Sequence, residues 1–157
     1  MPRRSSALRF VVPLVGSLGV AALIGCGPGT SRIEVADAVV PVPATADTAA
    51  IYLRITNDGD ADDRLLRVST SRAELTTLHE TTVDPDGRAT MAGVGSVKIP
   101  AGETVSLSPG GLHLMMLQPD RLAAGDTVDL TLTFEQAGTV TVPATVTDDI
   151  DDVVGRG

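Results

Sequence analysis

Hydrophobic and polar residues alternate along most of this chain with a period of two. The pattern is cleanest over residues 127–135 (TVDLTLTFE). There Val128, Leu130, Leu132 and Phe134 fall on one side, and Thr127, Asp129, Thr131, Thr133 and Glu135 on the other. That is the signature of a strand in an antiparallel sheet with one face in the core. Further strands are expected at 33–42, 49–55, 64–70, 74–83, 88–91, 96–99, 103–107, 112–117 and 139–147. They are separated by turn sequences such as Asn57-Asp58-Gly59-Asp60, Asp84-Pro85-Asp86-Gly87, Pro100-Ala101-Gly102 and Pro109-Gly110-Gly111. Many short strands, no long amphipathic helix and no internal repeat predict an all-β fold, a β-sandwich or Greek-key barrel, over residues 32–147. Residues 148–157 form an acidic tail, expected to be flexible.

The first 25 residues break this pattern. Basic residues lead into an apolar run, residues 10–25 (FVVPLVGSLGVAALIG), of the length of a signal-peptide core. The run carries Pro13, Gly16 and Gly19, which disfavour a packed spanning helix, and it ends in Leu23-Ile24-Gly25-Cys26. This ending resembles the bacterial lipoprotein processing box, in which the cysteine is lipidated and becomes the first residue. The competing reading is a transmembrane anchor with an incidental cysteine. Residues 1–25 are thus expected to be a lipoprotein signal peptide, with Cys26 as the lipidation site and residues 26–31 as a lipidated tether. Two acyl chains suffice for stable attachment. Either anchor places the domain outside the cytoplasmic membrane, in a compartment that oxidises thiols.

Composition narrows the chemistry. The chain of 157 residues carries a net charge of −8. Without Arg3, Arg4 and Arg9 of the leader, nine basic groups of the original twelve face twenty acidic ones, a net −11. Lys98 is the single lysine. Such a surface repels phosphate backbones, so nucleic-acid binding is disfavoured. With no Trp, and only Tyr52 and Phe134 as aromatics beyond the leader, there is no platform for stacking bases or sugars. One cysteine rules out an internal disulfide framework and a cysteine-based zinc site.

Both histidines and every methionine after the first fall between residues 79 and 116. His79 is followed after eleven residues by Met91, and Met91 after twenty-one residues by His113-Leu114-Met115. On a strand, His113 and Met115 share a face about 7 Å apart; Met116 faces the other way, toward the core. A hairpin at 84–87 brings His79 and Met91 together. Two imidazoles and two thioethers make a soft, neutral donor set suited to Cu(I). Zinc rarely takes thioether ligands, and calcium and magnesium need oxygen. Methionine also avoids the disulfide chemistry that disables cysteine in an oxidising compartment, although it is open to sulfoxidation. A blue-copper centre would need a thiolate. The exposed carboxylate expected at Glu80 either moderates the site's charge or is simply solvated.

Several segments together resemble the periplasmic copper chaperone PCu(A)C family. They are His79-Glu80-Thr81-Thr82, Met91, residues 100–105 (PAGETV), residues 109–116 (PGGLHLMM), residues 122–126 (LAAGD) and residues 130–135 (LTLTFE). The family motif is His, ten residues, Met, twenty-one residues, His-x-Met. The second spacing is met in full, and the first carries one extra residue, placed in the turn at 84–87. The resemblance spans about residues 33–145 and implies a cupredoxin-like β-fold without a blue-copper site. It implies a non-enzymatic carrier that binds one Cu(I) through His79, Met91, His113 and Met115 and passes it to another extracytoplasmic protein. The implied recipients are a copper centre of cytochrome c oxidase or a thioredoxin-like assembly factor. The chain would act as a monomer on the extracytoplasmic face of the cell membrane. Two rival classes stay open on the residues alone: a structural or partner-binding envelope lipoprotein with no metal, and a copper redox enzyme. The latter would want more imidazoles than two.

Overall fold

The computed structural model describes residues 29–149. The leader, Cys26 and all but the first two residues of the acidic tail lie outside the described residues. Ten strands follow in order: β1 (Ile33–Pro41), β2 (Thr48–Asn57), β3 (Asp63–Ser69), β4 (Ala73–Val83), β5 (Ala89–Gly93), β6 (Val97–Ile99), β7 (Thr104–Leu107), β8 (Leu112–Pro119), β9 (Thr127–Phe134) and β10 (Thr139–Thr147). No helix occurs among the described residues. The all-β expectation and the strand positions hold to within a residue or two at most ends.

The strands join in the order β5-β4-β8-β2-β1-β10-β9-β3-β6, with β7 pairing to β2 as well. β2 is the seam. Its first half, from Thr48 to Ile51, pairs with β8, and its second half, from Leu53 to Thr56, with β7. One layer is therefore β5, β4, β8 and the start of β2; the other holds β1, β10, β9, β3, β6, β7 and the rest of β2. Every described pairing is antiparallel except β1 with β10. A bulge in β1 sets Asp37 and Ala38 where β2 spends one residue. Asp37 there adopts a left-handed conformation (φ 54°) and its carboxylate pairs with Arg54.

The alternation read from β9 is realised. Val128, Leu130 and Leu132 are fully buried, with Phe134 beside them. They pack with Ile51, Ile55, Leu65, Ile99, Leu114, Met116 and Val146 in one core between the layers. Met116 is wholly buried, as expected of the face it shares with Leu114. Burying such side chains is worth about 1.5–3 kcal/mol each. Two polar residues are built into the end of this core. Asn57, 0% exposed, donates to the carbonyls of Ala61 and Ile99 and accepts from the amides of Arg32 and Gly59. Asp63, 3% exposed, accepts from the Ser31 hydroxyl and from the amides of Arg64, Gln136 and Ala137.

Candidate metal centre

The core fixes the outer face of the β5-β4-β8 layer by exclusion. Leu78 and Leu114 are paired in register and point inward, so their neighbours His79 and His113 point outward, directly opposite one another. Two residues along, Thr77 faces Met115. On the other side of β4 the register sets Thr81 against Met91 and His79 against Gly93. Paired residues share a face, so His79, Met91, His113 and Met115, drawn from three strands, lie on the same side of the layer.

The β4–β5 turn decides whether Met91 belongs to this group. Residues 84–88 close it. The Gly87 amide donates to the Asp84 carbonyl, and the Asp84 amide to the Arg88 carbonyl. The Asp84 carboxylate accepts from the amides of Asp86 and Arg88. Gly87 sits at φ 81°, which suits a residue without Cβ. This loop takes up five of the eleven residues between His79 and Met91. Val83 pairs with Ala89, and Met91 lies on the same face of the layer as His79. A slip by one residue would have turned it away.

Side-chain geometry then brings three of the four groups together. The rings of His79 and His113 have centroids 5.8 Å apart and planes inclined by 20°. Two imidazoles bound to one ion at about 2.0 Å per bond have centroids about 5–6 Å apart, a range that includes this stacked pair. The His113 Nε2 lies 3.3 Å from the Met91 Sδ. On the other edge of that ring, Nδ1 is 3.0 Å from the Gly111 carbonyl oxygen. A carbonyl only accepts, so Nδ1 carries the proton, and in the neutral ring Nε2 keeps its lone pair. A thioether has no proton to give, and two lone-pair atoms at 3.3 Å invite an electrophile between them. Nitrogen and sulfur bound tetrahedrally to one ion, at bonds of about 2.0 and 2.3 Å, stand about 3.5 Å apart. The His79 Nδ1 is buried with no hydrogen-bond partner, which is costly unless something else binds it. These observations fit a soft cation. Met115 completes the face, half-buried on β8, two residues from His113.

Exposure differs along the set. His113 is 6% exposed, whereas Met91, on the edge strand β5, is 50% exposed. Glu80 alternates to the other side of β4 and is exposed, so it does not share the ligand face. Among the described residues no three His, Cys, Asp or Glu gather in a cluster, so a harder ion finds no comparable donor set there. Sequence reasoning missed two members of the site, Thr77 and the Gly111 carbonyl. Thr77 had a signal, since a residue two before His79 on a strand shares its face. The carbonyl had none.

Comparison with known proteins agrees with the fold. A family model described as "Putative lipoprotein LpqE-like" matches residues 33–146. A protein of Leifsonia xyli subsp. xyli (strain CTCB07), described as "Putative lipoprotein Lxx21020", is 33% identical over 124 residues, which cover 78% of this chain and 74% of that protein. Among solved structures, the solution structure of Cu(I)-DR1885 from Deinococcus radiodurans superposes with a TM-score of 0.59 at 32% identity, covering 78% of this chain and 80% of its own. The apo PCuAC domain of PmoF1 gives a TM-score of 0.65 at 24% identity, covering 76% and 97%; it shares the cupredoxin-like β-fold. From its matched span, nearly the whole of the described sandwich, the chain belongs to the LpqE-like family.

Proposed function

We propose that this protein is an extracytoplasmic copper(I) chaperone, held to the membrane by a lipid on Cys26, with His79, Met91, His113 and Met115 as the copper ligands. It is a carrier, not an enzyme: copper is its cargo. The observation that carries this reading is the close approach of the His113 Nε2 to the Met91 sulfur, on the face shared with His79, whose ring centroid lies 5.8 Å from that of His113 and whose Nδ1 is buried without a partner. Two imidazoles and two thioethers are neutral, so the loaded site keeps the single positive charge of the ion. Such a soft donor set favours Cu(I) over zinc or calcium. The likeness to DR1885, whose structure was solved with Cu(I), supports the same cargo here.

The gradient of exposure fits delivery. His113 is anchored in the sheet, while Met91 stands half in solvent on the outermost strand. An incoming donor replaces Met91 with least disturbance to the core. The recipient we infer is an extracytoplasmic copper protein, a cytochrome c oxidase copper centre or its thioredoxin-like assembly factor. The lipoprotein descriptions of the family and of the Leifsonia relative support the anchor.

Anaerobic titration with Cu(I) against a chromogenic chelator tests the site. One tight equivalent is expected, weakened about a hundredfold or more in His113→Ala, with sulfur neighbours in the X-ray absorption of the loaded protein. Indifference to that substitution, or a coordination shell of oxygen alone, overturns the reading and leaves a metal-free envelope protein.

A further inference from the structure

Resting on the copper reading above, we propose that Thr77 is a positioning residue for the metal site, and that it makes the two histidines bind through different nitrogens, His79 through Nδ1 and His113 through Nε2. The Thr77 hydroxyl lies 2.8 Å from the His79 Nε2 and 3.4 Å from the carbonyl oxygen of Met115. A hydroxyl has one proton. The Met115 carbonyl can only accept, so both contacts are satisfied together in one arrangement only. Thr77 donates to Met115 and accepts from the Nε2–H of His79. That fixes the proton of His79 on Nε2 and leaves the lone pair on Nδ1, the buried atom without a partner. If Thr77 instead gave its proton to Nε2, the bond to Met115 would be lost and a buried Nδ1–H would have no acceptor.

The Gly111 carbonyl imposes the opposite choice on His113, where it holds the proton on Nδ1. The two rings face each other across antiparallel strands in register, and each is locked by a partner two residues before it in the chain. One hydroxyl thus ties two of the four proposed ligand residues: it orients the ring of His79 and braces the backbone of Met115. Partners of this kind raise ligand basicity and remove the entropy of ring rotation, and losing one typically costs about 10–100-fold in metal affinity.

The test uses the whole domain with Cu(I) as probe. Long-range nitrogen–proton spectra of the loaded protein should show the metal-induced shift on Nδ1 of His79 and on Nε2 of His113, with a slowly exchanging proton on Nε2 of His79. Thr77→Val, close in volume but without the hydroxyl, should weaken Cu(I) binding about 10–100-fold and yield a mixture of His79 tautomers in the apo protein. Thr77→Ser should restore both to near the parent values. Urea midpoints of all three report folding; should the valine variant not fold, the parent spectra and the serine variant decide. Ligation of His79 through Nε2 overturns the inference while copper binding stands, as does a valine variant equal to the parent. A parent protein that takes up no Cu(I), or shows no sulfur neighbour, removes the copper reading and this inference with it.

Discussion

Asp63 shows how much a single buried charge contributes when its partners are backbone. Burial pushes its carboxyl up, but the Ser31 hydroxyl and the amides of Gln136, Arg64 and Ala137 outweigh it, and the net displacement is below the ordinary carboxylate range. A folded value lower than the unfolded one means stability that is fully present above the unfolded value, about 3.9. It is lost as the pH falls through the depressed folded value. Asp63→Asn keeps the shape but turns an N–H toward a ring of donors. Urea unfolding at neutral pH should show a loss of about 2–3 kcal/mol, the scale of hydrogen bonds to a charged group. The gap between the variant and the parent should narrow as the pH falls below about 4, where the unfolded chain takes up the proton that the folded carboxyl resists. A gap independent of pH would mean that the charge plays no part. Nothing in the sequence marks Asp63. It sits in the polar run Asp58-Gly59-Asp60-Ala61-Asp62-Asp63, which reads as solvated turn. Only the return of the β9–β10 turn over it, 73 residues later, encloses it. Asn57 is hidden by the same cluster.

Among the elements, the β4–β5 hairpin is where a local rule of chain conformation decides the face on which Met91, a proposed copper ligand, stands. Its position, its turn and its alternation were all legible, because Asp-Pro-Asp-Gly needs only its own backbone to fold. Its register was not, because the number of residues in the loop allows either face of β5 to meet His79. The Asp84 carboxylate, capping two amides of the loop, and Gly87 at φ 81° settle it. A Cβ at Gly87 would meet nothing within 4 Å. The cost of Gly87→Ala is therefore conformational, about 1 kcal/mol, with no clash to confuse it. The loss should fall on the hairpin. Amide exchange in β5 should quicken, and Cu(I) affinity should drop severalfold, while core strands β9 and β10 hold their protection. Quickening spread evenly over all strands would show that β5 does not open separately from the rest.

At the scale of the whole molecule, the ligand face stands apart from the rest of an acidic protein. The residues that register places around the site, Ala50, Leu75, Thr77, Thr81, Val83 and Leu117 with the four proposed ligands, include no charged side chain. Leu75 and Val83 are 53% and 62% exposed. A neutral surface around the proposed neutral donor set would leave a bound ion's charge uncompensated by fixed anions, which favours release to a competing soft donor. The same layout predicts how loading spreads through the fold. β5 is an edge strand, all of its residues exposed and held only by β4, so in the apo protein it is the strand poised to open locally. Copper bound by the proposed ligands, Met91 on β5, His79 on β4 and His113 and Met115 on β8, would cross-link three strands, of which β5 and β8 have no backbone pairing to one another. At free Cu(I) a hundred times the dissociation constant, any opening that releases the ion costs about 2.7 kcal/mol more than before. Amides of β5 should then exchange about a hundredfold more slowly. The turn at Ala123–Asp126, closed by its own backbone bond and holding no proposed ligand, should keep its apo rates, and a stronger Cu(I) chelator should reverse the effect. Met91→Ala should bind more weakly through the three remaining ligands and leave β5 as labile loaded as empty. If β5 in the parent protein is equally labile with and without copper, Met91 is not a ligand and the site closes over β4 and β8 alone.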